Sequence, residues 1–284
     1  MTQKQKAEAR RTLETESSPV RAISITSGKG GVGKTNITAN LAIALAQQGQ
    51  EVLVWDADLG LANIDVLLGL NALYNINHLL NGEKTLEEII IEGPKGIKIM
   101  PASSGVQEMA NLGEGQKMRL LNELDHYRAK LDFLLIDTGA GISANVMYFN
   151  MAAQERIIVV TPEPTSITDA YALIKVMTTK YNAKKFRILV NLVENSREAK
   201  DVFTLLGAVA DKYLGSISLD YLGFIPTDEY IPKSVLKQQP VLDLYPSAEC
   251  SKYFKNLAKQ LLNTPTGGGL DGNIKFLWKR LLKI

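Results

Sequence analysis

Residues 28–35 read Gly28, Lys29, Gly30, Gly31, Val32, Gly33, Lys34, Thr35. This octet satisfies G-x-x-x-x-G-K-[ST], a loop whose backbone N–H groups cradle phosphates when it joins a strand to a helix. That requirement constrains the chain more than any other feature it carries. Glycine lets the backbone approach a phosphate without a Cβ in the way, and the following helix N-terminus adds partial positive charge. The flanks meet the requirement. Residues 21–26 (Arg-Ala-Ile-Ser-Ile-Thr) predict a short strand. Residues 34–48 predict a helix, with Ile37, Leu41, Ala44, Leu45 and Gln48 at helical spacing and Gly49 as its stop. In such a loop Lys34 reaches the β- and γ-phosphates and the Thr35 hydroxyl binds Mg²⁺.

Size and composition narrow the classes. The 284 residues allow one large α/β domain or at most two. Hydrophobic content of 45% and charged content of 22% fit a globular chain of ordinary type. A formal net charge of +2 is too small to argue for nucleic-acid binding. The single cysteine, Cys250, excludes an internal disulfide, fits a reducing cytoplasm and reads as a structural thiol. No run of 18 apolar residues predicts a membrane span. The polar, charged N-terminus lacks the apolar core of a secretory signal. His78 and His126 have no partners at metal-ligand spacing and read as surface or helix-end residues.

From Val20 onward short apolar runs alternate with helical patterns. Strands are predicted at 22–26, 52–56, 97–101, 133–137, 157–161, 187–191 and 222–226, and a last helix at 248–262. Consecutive β-branched and leucine residues suit strands buried on both faces. Helices between them imply parallel strands with right-handed crossovers, a doubly wound sheet. Four segments follow: a polar arm (1–18), the α/β domain (19–263), a Gly-rich flexible linker (264–272) and a terminal amphipathic helix (273–284). The arm, mixed in charge, reads as a solvated helix or a disordered stretch.

In a parallel sheet ligands sit at the carboxyl ends of the strands, so carboxylates there matter. Asp56 and Asp58 follow the second strand in Trp55-Asp56-Ala57-Asp58. One is placed to orient Mg²⁺ through water and the other to position an attacking water; such a pair also caps turns. Asp137 ends its strand ahead of Thr138-Gly139-Ala140-Gly141, where an acid holds Mg²⁺ or starts a turn. Gly139 and Gly141 permit a loop that responds to a γ-phosphate.

With Lys29 inside the loop, residues 28–36, 56–65 and 137–141 resemble the P-loop, switch I and switch II of the MinD/ParA family of deviant Walker A ATPases. The likeness covers about residues 20–262. It implies ATP/ADP and Mg²⁺ as ligands, with nucleotide contacts from Gly28 through Asn36 and, at the adenine, Asn191 and Pro226. It implies metal binding by Thr35, Asp58 and Asp137. It also implies that Lys29 crosses to the ATP of a second subunit, that Lys34 acts in hydrolysis, and that Asp58 supports it. Within the family, residues 56–69 and 163–175 (Glu163-Pro164-Thr165-Ser166 onward) resemble the FlhG/FleN branch. Read by itself, the second segment is a Pro-started amphipathic helix.

That resemblance implies an ATP-bound homodimer controlling flagellar number or placement. Its partners would be the GTPase FlhF, flagellar switch or C-ring proteins and a flagellar transcription activator, with no direct nucleic acid. Of the branch's short N-terminal FlhF-stimulating motif only Gln5 and Arg10 agree; Lys4, Lys6 and Ala9 depart. A MinD-type division-site regulator and a ParA-like partition ATPase are the alternative outputs.

Residues 273–284 place Ile274, Leu277, Trp278, Leu281 and Leu282 on one helical stripe, with Lys275, Lys279, Arg280 and Lys283 opposite. A basic amphipathic helix with Trp suits an anionic leaflet. The same stripe would also suit docking on its own domain or on a partner. The expected location is the cytoplasm, reversibly on the cytoplasmic face of the inner membrane.

Overall fold

The computed structural model describes residues 20–58, 63–102, 112–127 and 131–264. The arm, residues 265–272 of the linker and the amphipathic segment 273–284, with every residue read as membrane-facing, lie outside the described residues.

Strands rich in β-branched residues at every position need cover on both faces, and the central strands have it. β1 (Arg21–Ser27) and β2 (Val52–Ala57) are buried throughout. They join β3 (Ile91–Glu92), β4 (Lys98–Met100), β5 (Phe133–Ala140), β6 (Glu155–Val160), β7 (Lys185–Val193) and β8 (Ser218–Pro226) in one sheet. Its order is β3-β4-β2-β5-β1-β6-β7-β8. Neighbours run parallel, except that β3 pairs antiparallel with β4. All seven predicted strands are present. The two-residue β3 was not anticipated, because a pair of residues carries no periodicity to read.

The chain winds first to one side of β1 and then to the other, so a crevice opens at the carboxyl ends beside β1. Side-chain alternation then assigns the two faces. Ile23, Ile25, Val54, Leu135 and Val159 face α1 (Lys34–Ala46) and α11 (Glu249–Asn263). On the other face Leu53, Trp55 and Ile136 pack under α3 (Ile76–Asn81), α5 (Glu114–Tyr127) and α6 (Ala144–Ala152), with Trp55 meeting Phe149 edge-on at 5.1 Å. Ile158, Val160 and Ile188 lie under α7 (Pro164–Tyr181) and α8 (Ser196–Leu214). Short helices α2 (Ile64–Leu67), α4 (Leu86–Ile89), α9 (Tyr230–Leu236) and α10 (Val241–Leu244) fill the connections.

The helix after the glycine loop departs from its predicted one-sided stripe. α1 buries Thr38, Ala39, Asn40, Ala42 and Ile43 as well as Ile37, Leu41, Ala44 and Leu45, and it ends at Ala46. It is clamped between the sheet and α11, so no face remains for water. Small residues and side-chain-to-backbone hydrogen bonds, Thr38 to Lys34 O at 3.0 Å and Asn40 to Asn36 O at 2.9 Å, make that burial tolerable. Cys250 is buried, and burial together with the Asp228 carboxylate pushes its thiol up to about 12, in keeping with a structural thiol.

At the opposite end of the sheet Arg21 pairs with Glu155 and bonds Leu261 O in the last turn of α11 and Thr264 O just past it. Arg187 shares the same carboxylate at 3.2 Å. Removing Arg21 would take the guanidinium donor from the Leu261 and Thr264 carbonyls and leave the Glu155 charge paired with Arg187 alone. Arg21→Ala should therefore lower stability by about 3 kcal/mol, read as a drop in the urea unfolding midpoint.

Candidate phosphate-loop site

The loop between β1 and α1 is held from three directions. Ser27 Oγ donates to Lys29 O at 2.7 Å. Gly31 and Gly33 take φ of 77° and 90°, the left-handed region that glycine enters without penalty. From β7, the Asn191 amide donates to Val32 O at 2.8 Å, and a Cβ on Gly33 would meet that amide nitrogen at 2.5 Å. A Cβ on Gly28 would fall 2.1 Å from the Asp169 carbonyl carbon, so the start of the loop packs directly on the backbone of α7.

Lys34 is buried at the first position of α1. Burial lowers its pKa, while the charges of Asp137 and Asp58 raise it, so both carboxylates act on this amine. Asp137 is 1% exposed, accepts from Thr38 Oγ1 at 3.2 Å, and is also hydrogen-bonded by Thr35. Burial, and then the neighbouring Asp56 charge, pushes Asp137 up to about 7. Asp56 stands opposite Asp137 in the parallel β2–β5 ladder. Burial raises Asp56 to about 6 against the lowering effect of three backbone donors. Those donors are Asp58 N at 3.2 Å, Asn63 N at 2.9 Å and Ile64 N at 3.1 Å.

Asp58 reaches the end of β5, which runs on through Ala140, past its predicted stop at Asp137, because it keeps pairing with β1 and β2. A Cβ on Gly139 would sit 3.5 Å from Asp58 Oδ1. This end is tied back to β1, with Gly141 N donating to Ser27 O at 2.9 Å and Thr138 Oγ1 to Thr26 Oγ1 at 2.9 Å. Lys34, Thr35, Asp58 and Asp137 therefore share one neighbourhood at the crevice. Thr35 and Asp137 supply the hard oxygen donors that suit Mg²⁺. Among the described residues no group of three or more His, Cys, Asp or Glu could hold a metal. Mg²⁺ bound here would thus rely on nucleotide oxygens as well, which is its habit.

The remaining expected residues are placed differently. Lys29 points at the start of α7, pairing with Glu163 and donating to Thr165 Oγ1 at 3.0 Å. Asn36 is engaged along its own helix, accepting from Asn40 Nδ2 through both O and Oδ1. Pro226 is buried at the end of β8, opposite Val193 and close in register to Asn191.

Residues 19–262 match the ParA family (NUBPL iron-transfer P-loop NTPase). The chain is 42% identical to antiactivator FleN of Pseudomonas aeruginosa over 93% of its own length and 94% of the relative's. The chain belongs to the ParA family of P-loop NTPases, in its FleN/FlhG branch. Another member, the flagellum site-determining protein YlxH of Helicobacter pylori, is 36% identical over 92% of this chain and 89% of that one. The fold is that of MinD. The MinC:MinD complex of Aquifex aeolicus aligns with TM-score 0.70 and 28% identity, covering 87% of this chain and 97% of that chain. MinD of Pyrococcus horikoshii, solved with Mg-ADP, aligns with TM-score 0.69 and 28% identity, covering 86% and 96%. The family is one of ATP-binding ATPases.

Three contacts escaped sequence reasoning. Thr38 lies one turn beyond Thr35, and that spacing was a readable signal for a second hydroxyl on Asp137. Asp56 binds the backbone of its own switch segment, which the D-x-D spacing did not distinguish from a metal role. The Lys29–Glu163 pair spans 134 residues, and no local pattern announces it.

The raised carboxylates set a pH dependence. Native Asp137 and Asp56 keep protons up to about 7 and about 6, whereas unfolded carboxylates lose them near 4. Between those values the native state binds more protons than the unfolded one, so stability falls as pH rises. The nucleotide-free protein should be more stable at about pH 5 than at about pH 7.5 by roughly 4 kcal/mol. Asp137→Asn should flatten that slope in urea titrations run at both values.

Proposed function

We propose that this chain is an ATP-driven switch that hydrolyses ATP and sets flagellar number or placement. The observation that carries the reading is the meeting of Lys34, Thr35, Asp58 and Asp137 at one glycine loop, in a chain 42% identical to an antiactivator FleN. Backbone N–H groups of the loop and the Lys34 amine hold the β- and γ-phosphates. Thr35 and Asp137 would hold Mg²⁺, which would supply neutralisation of phosphate charge. Asp58 accepts a hydrogen bond from a water and aligns it with the γ-phosphorus. The P–O bond to the β-phosphate breaks as the water oxygen bonds to phosphorus, and the water's proton passes through Asp58 to the released phosphate, giving ADP and phosphate. Such transfers depend on positioning and charge neutralisation more than on covalent chemistry.

The switch part of the proposal rests on Lys29. Held by Glu163 and Thr165 within its own subunit, it would leave them to reach the ATP of a second copy, so that ATP supports a homodimer. Each dimer would carry two basic tails (273–284), and two weak membrane contacts bind far better than one. Hydrolysis would return the protein to a monomer in the cytoplasm. FlhF, C-ring proteins and a flagellar transcription activator are the proposed partners, the last in line with the antiactivator name of the Pseudomonas relative.

Asp58→Ala should lower phosphate release by about 100-fold, the usual weight of a water-positioning base, while mant-ADP still binds. Unchanged release would remove Asp58 from the mechanism. In cells, deletion of the gene should give extra or misplaced flagella with normal division, counted by electron microscopy. Minicells with normal flagella would move the chain to the division-site output.

A further inference from the structure

The short helix after switch I is held at both ends, and its second holder lies 172 residues away in sequence. At its start, Asp56 accepts from Asn63 N and Ile64 N. At its end, the exposed Gln238 side chain donates Nε2 to Val66 O at 2.9 Å. Gln238 has φ of 52°, a left-handed conformation uncommon for a residue with a Cβ. Gly69 faces it with φ of 63°, and a Cβ on Gly69 would meet Gln238 Cβ at 3.3 Å. Two non-extended backbones are thus fitted to each other at one point. Beside them a cleft of about 480 Å³ opens between Leu68 and Gly69 on one wall and Pro240 and Leu244 on the other. The Gln238 side chain therefore spans a gap instead of padding a packed core.

The turn that carries Gln238 is anchored on its other side to the phosphate-loop helix. Leu242 N donates to Asn40 Oδ1 at 3.3 Å, and Asn40 in turn donates to Asn36 O and Oδ1. Upstream, α9 starts four residues past Pro226, at the end of β8. Residues 226–242 thus form one strap running from the end of β8, past the helix that follows Asp58 at Gln238, to α1 at Leu242.

The geometry points to Gln238 as a positioning residue for hydrolysis: its hydrogen bond to Val66 O fixes α2, and α2 meets Asp58 through Asp56, whose carboxylate accepts from Ile64 N at the start of α2 and from Asp58 N. This rests on the ATPase reading above. Gln238 touches no nucleotide in this scheme; it acts by restricting where Asp58 can sit relative to the loop. A lost clasp should therefore reduce turnover and leave binding intact.

Three variants separate donation from packing. Gln238→Glu keeps the shape but cannot donate, Gln238→Ala removes the side chain, and Gln238→Lys keeps a long donor. The site is exposed, so none should prevent folding. Gln238→Glu and Gln238→Ala should lower kcat for phosphate release about fivefold, the weight of one net hydrogen bond, with KM for ATP changed by less than about twofold. Gln238→Lys should stay close to the parent. In the nucleotide-free protein, amides of residues 67–70 should exchange faster in Gln238→Glu than in the parent or in Gln238→Lys. Equal exchange and equal turnover in Gln238→Glu would overturn the clasp. A parent that releases no phosphate would overturn the ATPase reading, whereas the exchange comparison would still decide whether the clasp exists.

Discussion

Two carboxylates side by side in a buried place are the constraint on which the rest of this site depends. The register of β2 against β5 sets Asp56 directly across from Asp137. Both lie beneath the surface, at 2% and 1% exposure, where like charges repel strongly and water cannot screen them. The surroundings answer that repulsion locally. Asp56 takes three backbone N–H groups, Asp137 takes two threonine hydroxyls, and Lys34 stands within reach of the Asp137 charge. What remains is a pair held near its protonation point, which a divalent cation would relieve. The same crowding of negative charge is met at Asp56 by the backbone N–H groups of Asp58, Asn63 and Ile64.

The glycine loop is equally a product of its neighbours. Gly28 is pressed on the α7 backbone, and Gly33 and Val32 meet Asn191 from β7. Through these contacts the loop is braced by two elements that lie more than a hundred residues further along the chain. Lys29 adds a third link, to Glu163 and Thr165 at the first turn of α7. Lys29 is thus held against α7, the helix whose first turns resemble the FleN branch in sequence. One helix supports the loop at Gly28 and restrains its signature side chain.

Much of the fold was legible along the chain. Strands buried on both faces announce themselves as apolar runs, and each of the seven read in this way is present. The helix after the loop was legible as a helix but not as a fully enclosed one. Its apolar spacing at Ile37, Leu41, Ala44 and Leu45 looks one-sided until α11, more than two hundred residues later, closes over Ala42 and Ile43. The two-residue β3 was invisible for want of length.

For the site, sequence by itself determined the chemistry: which residues can hold phosphate, which can hold Mg²⁺ and which can place a water. Those follow from residue type at short spacing, since Gly28 to Thr35 must form one turn and Asp58 and Asp137 lie at or near the carboxyl ends of strands beside it. Only the tertiary structure decided what restrains each of them. Asp56 serves the backbone of switch I, Asn191 braces the loop, Lys29 rests on Glu163, and Gln238 clasps α2. Each of those contacts closes a long stretch of chain. Its geometry exists only after the sheet has set strand order and register, because no local preference in sequence encodes a distance between segments that meet by folding.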